Sequence, residues 1–267
     1  MLFRSLVSGS LTGTGSAIAP NNDKTLLTVA GGAIVVAGAA QFALTRQSAD
    51  VDTDANGTPD LLGATVQGVA LSVSGATVKI TGVATLTVSG DLALASVAPA
   101  KAAGATTEPA AAYSAFRMDR VTVTGDLDSS LKDALGLSAS ATIASLQSNN
   151  VAAAGAKRLD WTKAFDFDAN GTKDVLDPGA RLPTPVALPI DFVSSLQLLV
   201  SGSLTGTGTA IAPNNDKTLL TVAGGAIVVA GAAQFALTRQ SADVDTDANG
   251  TPDLLGATVQ GVALSVS

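Results

Sequence analysis

Between Gly68 and Val97 the chain reads GVALSVSGATVKITGVATLTVSGDLALASV, with Val69, Leu71, Val73, Val78, Ile80, Leu86 and Val88 alternating with Ser, Thr and Lys. A period of two places the apolar residues on one side of an extended backbone, the signature of half-buried strands. Gly75, Gly82 and Gly90 follow VS, IT and VS, and the spacing predicts a turn after about six residues each time. DRVTVTGDLD, from Asp119 to Asp128, repeats the phrase. The uncharged run Leu26 to Leu44, LLTVAGGAIVVAGAAQFAL, is long enough for a membrane span on length alone. Gly31, Gly32, Gly38 and Gln41 dilute it, and it reads better as two strands, TLLTVA and AIVVAGAAQFAL, joined by a Gly-Gly turn. Helix is expected only in short pieces such as DSSLKDALG, where Asp128 or Ser129 caps the start and Gly136 ends it.

The segment Leu6 to Ser74 returns at Leu199 to Ser267 with one change, Ser16 becoming Thr209. A fixed internal repeat of this kind marks an array. Residues 1–193 are therefore read as one full unit, with a seam near 178–195, and residues 194–267 as the start of a second, truncated unit. The arrangement suggests a piece of something longer, and the two copies are expected to share one fold. The Pro-bearing stretches Ala98 to Ala112 and Arg181 to Asp191 read as spacers. Together these patterns predict an all-β chain with little helix, an elongated repetitive β-sheet or β-solenoid-like array, with tandem β-sandwiches as the alternative.

Composition narrows the chemistry. Hydrophobic residues make up 46% of the chain but aromatics only 3%, so the core must be built largely from Ala, Val and Leu. The chain has neither His nor Cys, which removes the usual general base, the thiol nucleophile and the commonest transition-metal ligands. A non-enzymatic role follows. A net charge of −7 without a run of Lys or Arg excludes nucleic acid as a partner. No apolar targeting core follows Met1. Of 22 acidic residues a single one, Glu108, is Glu, and Asp is the residue of turns and oxygen-rich metal loops.

That Asp is concentrated in a pattern. DVDTDANGTPD occurs at Asp50 to Asp60 and again at Asp243 to Asp253, and FDFDANGTKD occupies Phe165 to Asp174. Each contains D-x-D-x-N-G-x-x-D. In the first copy the oxygens come from Asp52, Asp54, Asn56, the Thr58 carbonyl and Asp60; the middle copy offers Asp166, Asp168, Asn170, Thr172 and Asp174; the last offers Asp245, Asp247, Asn249, Thr251 and Asp253. Alternate side chains converge on one point, Gly at the sixth place lets the backbone wrap, and an oxygen-only set of this size suits calcium better than magnesium. Asp177 is a further candidate for the middle loop, and Asp50 and Asp243 are accessory charges. Trp161 and Tyr113 are read as local packing rather than a sugar-stacking platform. The three NGT sequons are by-products of the loops, their Asn being the proposed ligand.

D-x-D-x-N-G-x-x-D resembles the calcium loops of EF-hands, dockerins, thrombospondin type-3 repeats and FG-GAP propeller blades. An EF-hand would carry an acid at the twelfth place, where this chain has Gly63, Asp177 and Gly256, and strand-like sequence follows in place of a helix. The whole unit, Ala/Val/Thr/Gly strands punctuated by these loops, resembles modules of very large repetitive bacterial surface proteins of the adhesin type. The resemblance implies a calcium-stabilised structural or adhesive repeat, extracellular or at the cell surface. Its implied partners are neighbouring repeat units of the same chain, cell-surface glycans or further copies of itself, without membrane insertion. The alternatives are a carbohydrate-binding or carbohydrate-active β-solenoid and a membrane-associated segment built on Leu26 to Leu44. The last strand is expected to leave an unpaired edge that favours self-association.

Overall fold

The computed structural model describes residues 4–18, 22–29, 34–80, 84–107, 109–127, 139–153, 156–222 and 227–266. Strands dominate. They are β1 (Arg4–Thr12), β2 (Ala17–Ile18), β3 (Asp23–Val29), β4 (Ile34–Ala37), β5 (Ala39–Val51), β6 (Leu61–Ile80), β7 (Ala84–Ala98), β8 (Tyr113–Leu127), β9 (Ala139–Val151), β10 (Leu196–Gly206), β11 (Ala210–Ile211), β12 (Asp216–Val222), β13 (Ile227–Ala230), β14 (Ala232–Val244) and β15 (Leu254–Val266). The helical content among the described residues is a 3-10 turn at Pro178–Arg181; DSSLKDALG, the stretch read as a helix, lies outside them.

Nine strands follow one another across a single open sheet in the order β1, β5, β6, β7, β8, β9, β10, β14, β15, every pair antiparallel. The sheet does not close into a barrel. Antiparallel pairing and one continuous sheet settle the architecture as the elongated repetitive sheet, not a parallel solenoid. A β2, β3, β4 branch joins the far half of β6, Ile34 pairing with Ile80 and Ala37 with Thr77.

The strands are longer than the six residues the glycine spacing predicts, and the reason is local. Gly75 (φ 62°) and Gly90 (φ 152°) sit inside β6 and β7, where the register shifts between Val73 and Ala76 and between Ser89 and Asp91. The first shift is a β-bulge on β6, which absorbs an extra residue and twists the strand without ending it; at the second the extra residue lies on β8, where Arg120 (φ 55°) and Val121 stand opposite Gly90. At Gly90 a Cβ would lie 2.5 Å from Val121 Cγ2, so the position admits no side chain. Gly82 lies outside the described residues, as do Gly31 and Gly32. Conversely, AIVVAGAAQFAL is two strands, β4 and β5, broken at Gly38 (φ 124°). Among the described residues no helix is long and apolar enough to cross a membrane.

Over β5 to β8, one face of the sheet is covered by the segment from residue 156 to residue 195. The strands contribute small residues, Ala49, Ala64, Ala93, Ala95 and Ala115 with Val51, Val66 and Val97, and the covering segment contributes the large ones, Leu159, Trp161, Phe165, Leu188, Ile190 and Phe192, all buried. Small residues on the pleat let bulky ones approach closely. Arg181 to Asp191, read as a spacer, is therefore a structural layer: its prolines cannot enter a ladder, but they can lie across one. Ala98 to Ala112 is likewise no linker between bodies; it joins the paired neighbours β7 and β8.

The two copies fold alike, Val7 pairing with Leu44 and Val200 with Leu237, Ser48 with Thr65 and Ser241 with Thr258. Their surroundings differ. Val66 is 1% exposed beneath the cover, whereas its duplicate Val259 is 38% exposed. On the other face of the sheet Phe42, Leu71, Leu92, Met118, Leu146, Val200, Leu237 and Val262 stand directly opposite one another in sequence across eight strands, an unbroken apolar row.

Candidate metal centres

Each acidic loop closes on itself in the same way. The first joins β5 to β6, the last joins β14 to β15, and the middle one lies in the covering segment. At the base a backbone N–H donates across the loop: Asp60 to the Val51 carbonyl, Asp174 to Phe165 and Asp253 to Val244, each at 2.9 Å. At the tip Ala55, Ala169 and Ala248 take φ values near +60° (63°, 58° and 58°), followed by Gly57, Gly171 and Gly250 at 94°, 83° and 90°. A left-handed alanine costs about 1–2 kcal/mol. The compensation is direct: the turn aims two consecutive N–H groups at the first Asp. Gly57, Gly171 and Gly250 donate to Asp52, Asp166 and Asp245 at 2.8, 2.9 and 2.7 Å, and Asn56, Asn170 and Asn249 add a second bond at 3.2, 3.1 and 3.3 Å.

The remaining residues are held as tightly. Asn56 Nδ2 donates to Asp54 and its Oδ1 accepts from the Thr58 N–H, with the same pair of bonds in the other two loops. Thr53 donates both N–H and hydroxyl to Asp60 at 2.9 Å, and Thr246 does so to Asp253; in the middle loop Phe167 supplies the N–H alone, at 2.6 Å. The result is three carboxylate triads, Asp52/Asp54/Asp60, Asp166/Asp168/Asp174 and Asp245/Asp247/Asp253, with one oxygen from each residue within 4.8 Å of the others. Three like charges so close repel one another, and an oxygen-only donor set at this spacing fits a hard cation. These clusters can hold a metal ion.

Three neighbours read as possible ligands or charges have other work. Asp177 is not part of the middle triad: its Oδ1 accepts from Ala180 and Leu188 N–H groups at 3.2 and 3.0 Å, capping the 3-10 turn. Asp50 and Asp243 accept from Gly63 and Gly256 N–H groups at 2.7 Å, bracing the start of β6 and of β15. Gly63 and Gly256, at φ 63° and 64°, occupy the twelfth place where an EF-hand would present an acid.

The first and middle loops touch. Asp52 donates its N–H to the Ala164 carbonyl at 3.1 Å, and the Lys173 ammonium lies 3.7 Å from Asp52 Oδ2. Sequence reading missed Lys173. It stands where the other loops have Pro59 and Pro252, but nothing local shows that its charge reaches a different loop. Thr53 and Thr246 were missed too, although their place before an acidic loop residue is visible in the sequence.

The same bonds set the acid response of the metal-free chain. The Thr53 N–H and hydroxyl hold the Asp60 carboxyl below the usual carboxylate range, the Thr246 hydroxyl and N–H do so for Asp253, and the Gly250 N–H does so for Asp245. Depressed values stabilise the folded form above the unfolded carboxylate pKa, near 4, and that contribution disappears as pH falls through the folded values. In chelator, the urea midpoint is expected to be flat near neutrality and to drop between about pH 5 and pH 3, and an Asp60→Asn/Asp253→Asn variant should show a shallower drop. An unchanged slope in the variant would contradict this account.

Among the described residues, the aromatic rings beside the middle loop pack on one another and on the core. Trp161 is fully buried, its centroid 5.8 Å from that of Phe165, and Phe165 stacks on Phe167 at 5.0 Å. The reading of Trp161 as local packing holds. No family model, curated protein or solved structure matches the chain.

Proposed function

We propose that the protein is a non-catalytic, calcium-stabilised structural repeat of a bacterial cell-surface or extracellular array, of the adhesin type. The observation that supports it most is the recurrence of one loop geometry at three places, each bringing three carboxylates together at a strand end or on the covering layer. Three divalent cations would cancel six of the seven net negative charges. Millimolar calcium outside cells fills even loops with Kd on the order of 10⁻⁴ to 10⁻³ M. The seam supports the array part of the reading: β9, the last strand of the first unit, pairs with β10, the first strand of the second, from Ser148 opposite Leu198 to Ala139 opposite Gly206. Units joined this way extend the sheet sideways, and the neighbouring unit is the partner.

Calorimetric titration of the chelated chain with calcium tests the metal reading. Three ions per chain are expected, two in Asp54→Ala, and weaker binding of magnesium. The first and last loops are identical in sequence, so Lys173 distinguishes them. Lys173→Met should tighten one site by at least about fivefold, the factor for roughly 1 kcal/mol of relieved repulsion, and leave the last loop unchanged. Absence of binding heat at millimolar calcium, with no change in the melt, would reduce the loops to turns.

A further inference from the structure

Of the nine asparagines, three stand directly before a glycine, Asn56, Asn170 and Asn249, and these are the three inside the acidic loops. All three are exposed, and a Cβ built on Gly57, Gly171 or Gly250 would meet nothing within 4 Å. The backbone nitrogen after each Asn is therefore unshielded. The groups around each carboxamide are those of an acyl-transfer site: a nucleophile, a proton acceptor, a donor on the electrophile and a held leaving group. The Thr58 N–H donates to Asn56 Oδ1 at 2.7 Å, and Thr172 and Thr251 do the same for Asn170 and Asn249 at 2.7 and 2.8 Å. That bond folds the carboxamide back over the Asn–Gly peptide group and sets a donor on the oxygen where negative charge would develop. The Gly57 N–H donates to Asp52 Oδ2 at 2.8 Å, with 2.9 and 2.7 Å for Gly171 on Asp166 and Gly250 on Asp245, the reach expected of a group that takes a proton. Asn56 Nδ2 is held by Asp54 Oδ2 at 2.9 Å, and the other two loops repeat the contact.

We propose that Asn56, Asn170 and Asn249 are self-modification sites, at which each ion-free loop converts its own asparagine to aspartate or isoaspartate through a cyclic imide. The Gly57 nitrogen attacks Asn56 Cγ and the Cγ–Nδ2 bond breaks. The proton on the Gly57 nitrogen passes through Asp52 Oδ2 to the departing nitrogen, which leaves as ammonia. Water then opens the imide. Opening at Cγ restores the main chain and leaves an aspartate, a fourth carboxylate beside the triad. Opening at the backbone carbonyl leaves isoaspartate, whose main chain runs through Cγ and no longer fits the hydrogen-bonded turn. Neither product returns to asparagine, so the loop gains charge with age. Asn149 and Asn150 on β9 lack the arrangement: Asn149 is buried with Nδ2 on the Leu159 and Val193 carbonyls, and Asn150 precedes the β-branched Val151. The chemistry uses contacts within each loop alone, so it depends on neither the array nor the calcium reading.

The test incubates the full chain in neutral buffer with chelator and heavy-oxygen water, reads tryptic peptides by mass spectrometry and assays released ammonia. Conversion is expected at Asn56, Asn170 and Asn249, with one heavy oxygen incorporated and one ammonia released per event, while Asn149 and Asn150 stay intact. The rate should exceed that of synthetic peptides spanning Asp50 to Asp60 and Phe165 to Asp174 by at least about tenfold, a modest share of what positioned proton transfer supplies. Asp245→Asn should bring the last loop down to the rate of the free peptide while the first loop of the same molecule keeps its own. The two tryptic peptides are told apart because the first runs on to Lys79 and the second to Ser267, and the unchanged first loop excludes a general folding defect. A folded chain that converts no faster than the peptides would overturn the proposal, since the loop would then only hold its asparagine. Conversion of the last loop in Asp245→Asn at the parent rate would overturn it as well, by removing the carboxylate from the proton's path.

Discussion

Replacing Trp161 by alanine is expected to cost about 3–5 kcal/mol, the usual penalty for deleting a large buried aromatic side chain. Trp161 is fully buried and central to the layer that covers β5 to β8. Its indole N–H donates to Asn149 Oδ1 at 3.0 Å, its backbone N–H donates to the Phe192 carbonyl at 2.8 Å, and Asn149 in turn donates to the Leu159 and Val193 carbonyls at 3.0 and 3.2 Å. One side chain thus ties β9 to both ends of the cover. Alanine removes the packing and leaves a buried amide oxygen unpaired, and both effects act in the same direction. Urea denaturation followed by circular dichroism measures the loss. Leu264→Ala, at a 71% exposed position, should stay within about 0.5 kcal/mol of the parent chain. A Trp161→Ala variant as stable as that control would mean that the cover contributes little to the fold.

Calcium is expected to raise the thermal midpoint by roughly ten degrees or more. Binding to the folded form alone stabilises by RT ln(1 + [L]/Kd), about 1.4 kcal/mol per site at ~10 mM calcium for a Kd of ~10⁻³ M and about 2.7 kcal/mol for ~10⁻⁴ M. For a domain of this size each kcal/mol moves the midpoint by about 2–4 °C. The first and middle loops should dominate, because they are joined through Asp52 and Ala164 and rest on the buried core through Val51 and Phe165. The last loop sits on uncovered strands, and its ion should contribute least to the main transition. Melts in chelator and across a calcium series test this, with magnesium giving a smaller shift. Superimposable melts would remove calcium from the account of stability.

What was legible in the sequence follows the range of the interactions. The acidic loops were readable because every group in a triad lies within nine residues, and Gly57, Gly171 and Gly250 mark the wrap directly. The shared fold of the two copies was readable from identity alone. Gly75 was misread as a turn because a bulge and a turn use the same positive φ, and Gly90 because the β8 bulge it faces, at Arg120 and Val121, lies some thirty residues away in the chain. The covering layer was invisible for a different reason. Leu159, Trp161, Leu188 and Ile190 meet alanines of β5 to β8 that are far away in the chain, and no periodicity within residues 156–195 announces that contact. Prolines at positions 183, 185 and 189 signal exclusion from a ladder and say nothing about lying across one.

That layer also fixes an order of events during synthesis. Roughly 60 residues separate the end of β7 from Leu159, several seconds of translation at about 5–20 residues per second. The alanine-lined face is therefore made well before the residues that seal it, and the meander β5 to β9 must persist half-finished while they emerge. In the repeat array proposed above, a late cover would be able to settle on a neighbouring unit as readily as on its own, the misassembly to which repeat proteins are prone. The single Ser16/Thr209 difference between the copies offers no discrimination, so in such an array correct pairing would rest on timing, the cover meeting first the sheet made just before it.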